Sequence, residues 1–149
     1  MIWHFSLVCY VSVWLWSRTW NSKLEYTLGH YLWIFSNSQF KFVLKDADRD
    51  GFCTTIVSLT TKFLDSWENL KVGFRIYQFK TKKLFDGKFL ETKAIADSGD
   101  FEYFPQVTRR FRLKPGNYVI IPYTKYCNEE SEFLIRIFSE KPSYLQKLL

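Results

Sequence analysis

Three carboxylates alternate ahead of a glycine in Asp46-Ala47-Asp48-Arg49-Asp50-Gly51, the pattern in this chain most suited to a hard cation. Such spacing opens the helix-loop-helix calcium loop, which also needs a bidentate carboxylate at its twelfth position. Counted from Asp46 that position is Val57, so a loop of that kind is excluded. An inter-strand loop remains. In it Asp46, Asp48 and Asp50 either converge on a cation, with calcium the one cofactor these residues suggest, or face water as a solvated turn. Glu129, Glu130 and Glu132 form a second acidic group, read either as another acidic rim or as a charged loop before a buried strand.

Cations are gathered elsewhere. No Asp or Glu occurs between Glu102 and Glu129, whereas Arg109, Arg110, Arg112, Lys114 and Lys125 do, and Lys80, Lys82, Lys83 and Lys88 make another basic stretch. Arg110 and Arg112 are two apart, so on a strand they leave one face together. Patches of this kind attract anionic lipid headgroups or an acidic protein surface, each basic group adding about 1 kcal/mol near an anionic membrane. A solvated strand face that discourages edge pairing is the plainer alternative. Arg109 shares parity with Val107 and Phe111, so it either reaches solvent near a strand end or pairs with a buried acid. Arg136 poses the same question inside an apolar strand.

Nucleophilic chemistry finds little support. Cys9, Cys53 and Cys127 are odd in number and far apart, which fits a reducing, cytoplasmic setting better than a disulfide framework. Cys53 and Cys127 read as small packing residues. Neither His4 nor His30 has a ligand-spaced neighbour, and no G-x-S-x-G, H-E-x-x-H, P-loop or dinucleotide fingerprint occurs. The chain is not expected to be an enzyme on its own.

The elements that position these residues are strands. The chain has 149 residues, a net charge of +6 and 20% aromatic residues, rings that suit a pleated surface. Gln39 to Leu44 alternates polar and apolar side chains, Cys53 to Leu59 is rich in Thr, Ile and Val, and Lys71 to Phe79 is a half-buried strand. Val107, Phe111 and Leu113 fall on one side of a strand whose other side carries Thr108, Arg110 and Arg112. Lys114-Pro115-Gly116-Asn117 then turns the chain into Tyr118 to Pro122, which reads as a hairpin. Phe133 to Phe138 is a nearly continuous apolar strand, expected to be covered on both faces apart from Arg136. Together they predict an all-β antiparallel β-sandwich.

Five of the six tryptophans precede Ile34. The expected organisation is a Trp-rich leader over 1–33, a sandwich over 34–142 and a tail over 143–149. The apolar run Ile2 to Trp16 is about 15 residues long against the roughly 20 a spanning helix needs, and it lacks the cationic start of a signal peptide. Burial as a strand, membrane contact and a signal sequence remain open for it.

Thr108-Arg109-Arg110-Phe111-Arg112-Leu113-Lys114-Pro115-Gly116-Asn117-Tyr118-Val119-Ile120-Ile121-Pro122 resembles the signature of the third domain of the calpain large subunit. Glu130 to Lys141 resembles that domain's last strand, Val72-Gly73-Phe74-Arg75-Ile76-Tyr77 its central strand, and Asn37-Ser38-Gln39-Phe40 its opening segment. The chain departs from the family pattern at Pro105-Gln106, where an Arg-Glu pair is usual, and at Lys114, where Pro is common. The resemblance makes Gly73, Phe111, Pro115, Gly116, Tyr118, Pro122, Phe133 and Arg136 structural motif residues. It implies a sandwich of about eight strands, similar to calcium- and phospholipid-binding sandwiches, with an acidic loop near Asp46 to Asp50. It further implies a non-catalytic regulatory role beside a papain-like protease core, in the cytoplasm and peripherally at membranes. The partners it implies are that core and an acidic phospholipid surface. The alternative is a stand-alone basic β-module for anionic membrane or single-stranded nucleic acid. The nucleic-acid partner is disfavoured, because the rings fall at apolar-parity positions where core packing uses them.

Overall fold

The computed structural model describes residues 39–61, 71–79, 93–101, 106–125 and 133–148, together with the backbone of 9–13. Every regular element among them is a strand: β1 (Cys9–Val13), β2 (Phe40–Leu44), β3 (Cys53–Thr61), β4 (Val72–Gln78), β5 (Ala96–Asp97), β6 (Gln106–Leu113), β7 (Gly116–Thr124), β8 (Phe133–Ser139) and β9 (Ser143–Lys147). They form two antiparallel sheets, ordered β1-β8-β3-β6 and β5-β4-β7-β2-β9. The expected all-β sandwich is the observed architecture.

Period-2 alternation makes the core. Phe40, Phe42 and Leu44 of β2, Phe74 and Ile76 of β4, and Tyr118 and Ile120 of β7 face Val57 and Leu59 of β3, Val107 and Leu113 of β6, and Ile135 and Ile137 of β8. Rings tie the sheets together. Phe40 meets Phe133 edge-on at 5.8 Å, Phe74 meets Phe111 edge-on at 6.0 Å, and Phe42 stacks on Tyr118 within its own sheet at 5.1 Å. Such contacts add about 0.5–1.5 kcal/mol each beyond simple burial.

The expected hairpin is not one. β6 pairs with β3, whereas β7 lies between β4 and β2 in the other sheet, so Lys114-Pro115 carries the chain across the core as an arch. The cause lies in the outward faces. Val119 and Ile121 of β7 are fully buried in a second apolar cluster with Tyr77, flanked by Phe79, Ala94, Tyr123 and Leu148, whereas Arg110 and Arg112 of β6 are exposed. Paired strands share a face, and a fully buried apolar face cannot continue into a solvated cationic one. The Tyr118 hydroxyl donates to the Lys114 carbonyl and braces the arch.

Both ends of the chain contribute strands. β1 lies within the stretch expected to be a leader and pairs with β8, Val11 opposite Ile137. β9 lies within the expected tail and pairs with β2, Leu145 opposite Phe42, with Leu145 packed on the core and Ser143 buried beside Ser139. A strand this short and polar has too little alternation to stand out in sequence, and partner pairing is what makes it. β8 alternates buried and half-buried residues instead of being covered on both faces, and β4 buries Gly73 and Tyr77 as well as its core face.

Candidate anion-binding face and the adjoining acidic loop

The four-stranded sheet turns one face to the core, and its other face carries the polar residues of β3, β6 and β8. Register fixes their neighbours there. Arg112 lies opposite Thr54, Arg110 opposite Ile56, and Thr108 opposite Ser58, which in turn faces Arg136. Arg110 and Arg112 thus emerge together as expected, and β8 brings Arg136 onto the same face.

Arg136 stands in a ring of side-chain hydrogen bonds spanning three strands. Its Nη2 donates to Ser58 Oγ at 3.5 Å, Thr60 Oγ1 at 3.3 Å and Gln106 Oε1 at 3.4 Å. The Thr60 hydroxyl donates to the same Gln106 oxygen at 3.3 Å, Gln106 Nε2 donates to Thr108 Oγ1 at 2.9 Å, and the Thr108 hydroxyl donates to Ser58 Oγ at 3.1 Å. Every acceptor is neutral. Gln106 stands where the family pattern leads one to expect Glu, so the guanidinium is oriented but no described residue neutralises it. Its Nε is buried without a partner.

Arg112 is the counter-example on this face. Its Nη2 contacts Asp50 Oδ2 at 2.6 Å, and its guanidinium lies 4.9 Å from the Phe52 ring centroid. Arg109, half-buried, bends its Nη1 back to the Thr108 carbonyl at 3.0 Å. Lys114 and Pro115 are exposed at the arch, while Lys80, Lys82, Lys83, Lys88, Glu129, Glu130, Glu132 and Cys127 lie outside the described residues.

Two carboxylates of the acidic loop accept backbone N–H groups near the start of β3. The Thr54 N–H donates to Asp48 Oδ2 at 2.7 Å and the Phe52 N–H to Asp50 Oδ1 at 3.1 Å, while Gly51 takes the positive φ of 82° that the tight turn needs. The Phe52 N–H, with Arg112 beside it, holds the Asp50 carboxyl below the usual carboxylate range. Asp46 contributes its carbonyl, which accepts from the buried Cys53 thiol at 3.3 Å. Asp48 and Asp50 thus hold the loop's own backbone, while Asp48 Oδ1 is buried without a hydrogen-bond partner. Among the described residues no group of three or more His, Cys, Asp or Glu is placed to hold a metal ion. Burial, reinforced by Asp48, Asp46 and Asp50, pushes the Cys53 thiol above its ordinary value. A thiol so placed is neutral and unreactive near neutrality.

The family-motif residues sit in structural roles. Gly73 has no room for a side chain, because a Cβ there would lie 2.8 Å from Ser98 Oγ and 3.0 Å from the Tyr123 ring. Phe111 packs between the sheets, Gly116 begins β7 against the Tyr118 ring, and Phe133 is buried against Phe40. Pro122 is buried beyond the last β2 partner of β7, opposite Phe74. The rings of Phe40, Phe42, Phe74, Tyr77 and Tyr118 are in the interior, so they form no exposed stacking platform. Sequence reasoning missed Ser58, Thr60, Thr108 and Gln106 as neighbours of Arg136. Polar residues at alternate positions of β3 marked a wet face, but only register shows which strand faces it.

The two antiparallel sheets define an all-β sandwich with an arginine-bearing wet face on its four-stranded sheet and a short acidic loop between β2 and β3. Residues 17–138 match the family described as calpain large subunit, domain III, and the chain belongs to that family. It is 39% identical over 130 residues to Calpain-B of Drosophila melanogaster, covering 76% of this chain and 14% of that protein. Calpain clp-1 of Caenorhabditis elegans is 33% identical over 121 residues, covering 74% and 16%. The Calpain-1 catalytic subunit of Mus musculus is 31% identical over 134 residues, covering 78% and 18%. The chain thus spans less than a fifth of the length of these curated relatives and corresponds to the domain III region of a cysteine-protease family.

Proposed function

We propose that this chain is a non-catalytic regulatory β-sandwich of a calpain-like, calcium-dependent cysteine protease. It works in the cytoplasm beside a protease core, and its basic outer face receives an anionic partner, either acidic phospholipid or an acidic protein surface. The observation that carries the reading is the emergence of Arg110 and Arg112 on one wet face, joined there by Arg136, in a chain that belongs to the domain III family. The described thiol supports a non-catalytic role. Cys53 is buried, its thiol is held above the ordinary range, and its hydrogen bond goes to a backbone carbonyl rather than to a base that could activate it.

Co-sedimentation with acidic vesicles and retention on immobilised polyglutamate test the docking reading. Binding is expected to one or both, weakening as salt rises and in Arg110→Glu/Arg112→Glu, because surface attraction is screened over about 10 Å at 0.1 M salt. Binding to neither, or binding indifferent to salt, would sink it.

A further inference from the structure

We infer that the wet face of the four-stranded sheet is a receptor for protein carboxylates, with Arg136 as its fixed centre and Arg110 as its outer arm. The inference rests on reading that face as a docking surface, and it names the partner's chemistry.

A guanidinium set half-buried in a sheet is costly unless its charge is met. Among the described residues Arg136 meets only Ser58, Thr60 and Gln106, all neutral, at 3.3–3.5 Å. Arg110 is exposed, and no described residue bonds it. The acid that the described residues bring to this face, Asp50, is already held by Arg112 at 2.6 Å. Among the described residues, two cations therefore stand on one face without a counter-charge, and the hydroxyl–amide ring holds one of them in place so that little side-chain freedom is lost when a ligand arrives.

Two observations favour a carboxylate over a membrane headgroup. The Arg112–Asp50 contact shows what an arginine of this face takes when a carboxylate is within reach. Arg136 is also held down by its ring instead of extending outward, so its partner must reach into the face as a side chain does. Arg110 and Arg136 lie on strands separated by β3 and are offset by one two-residue step. Strand spacing and rise put their Cα atoms about 12 Å apart. That separation matches acidic residues four apart in an extended segment, or two helical turns apart, in the partner.

The full chain is titrated with a fluorescently labelled extended peptide bearing Glu at positions i and i+4, its Gln counterpart, inorganic phosphate and phosphatidylserine vesicles. The Glu peptide is expected to bind and the Gln peptide not. Arg110→Gln should weaken binding roughly five-fold, about 1 kcal/mol for one surface charge. Gln106→Glu places a carboxylate beside Arg136 in nearly the same shape, so it should abolish most binding while leaving the near-UV circular dichroism unchanged. Arg136→Gln should do the same, and if that variant fails to fold, Gln106→Glu and exposed Arg110→Gln carry the test. Binding unaltered in Gln106→Glu overturns the inference. So does vesicle or phosphate binding that depends on Arg136 and exceeds peptide binding; that outcome leaves the docking reading standing with a phosphate partner. Binding to no probe removes both.

Discussion

Gly73→Ala probes how closely β5 is clamped to β4. The added Cβ would lie 2.8 Å from Ser98 Oγ and 3.0 Å from the Tyr123 ring, contacts too short to persist. Ser98 cannot retreat freely, because its Oγ accepts the buried Phe74 N–H at 3.0 Å. Tyr123 is also confined. Its hydroxyl is hydrogen-bonded to Ser98 and Arg75, the Arg75 guanidinium lies 5.6 Å from its ring centroid, and Phe101 meets it edge-on at 5.7 Å. Forcing a methyl into a packed site costs about 1–3 kcal/mol. Losing the Ser98 acceptor leaves a buried N–H unsatisfied at about 1–3 kcal/mol more. The two overlap, so a loss of about 2–4 kcal/mol is expected, a large share of a typical domain's 5–15. At about 2–4 °C per kcal/mol for this size, the melting temperature should fall by roughly 5–15 °C. Urea denaturation followed by tryptophan fluorescence should show a lower midpoint at an unchanged slope. In Gly73→Ala/Ser98→Ala the shortest clash is gone but the hydrogen bond is lost too, so the double variant should be less destabilised than the sum of the singles. A Gly73→Ala midpoint equal to the parent's, or strict additivity, would refute the clamp.

The Asp50 carboxyl is held low by the Phe52 N–H and Arg112, so its contribution is present above the unfolded carboxylate pKa and is lost as pH falls through the folded one. Protection of the Phe52 amide, relative to its intrinsic exchange rate, should therefore fall only on acidification below about pH 4, and Asp50→Asn should abolish that dependence. Cys53 runs the other way. Its folded pKa is raised, so its contribution is full below about pH 9 and fades as pH rises through the folded value. With Cys9 and Cys127 changed to Ser, the thiol should resist alkylation at pH 8 until the protein is unfolded, and rapid labelling of the folded form would contradict its burial.

Much of the fold was legible. The parity of Phe40, Phe42 and Leu44 and of Val107, Phe111 and Leu113 named much of the core, since alternation expresses burial on one side of a pleat. The same parity sent Arg110 and Arg112 outward. The arch between β6 and β7 was misread because turn residues report a reversal of direction, which hairpins and arches share. The clue that separates them, an apolar outer face on Val119 and Ile121 against a cationic one on β6, compares two strands and not a turn.

Local residue types thus carried the strands, the core and the charge on the wet face, because each depends on a side chain and its near neighbours along the chain. The clustering of Asp46, Asp48 and Asp50 in one loop was equally plain, but not what they bond. Thr54, Phe52 and Arg112 claim Asp48 and Asp50, and Arg112 comes from a strand far along the chain. Arg136 shows the same division. Its type and parity were readable, whereas its neutral ring exists only because β3 lies between β6 and β8 and sets Ser58 and Thr60 in register with Thr108 and Gln106. Pairing register is a free-energy choice made by the whole sheet, and it turns scattered hydroxyls and one unmet charge into a site.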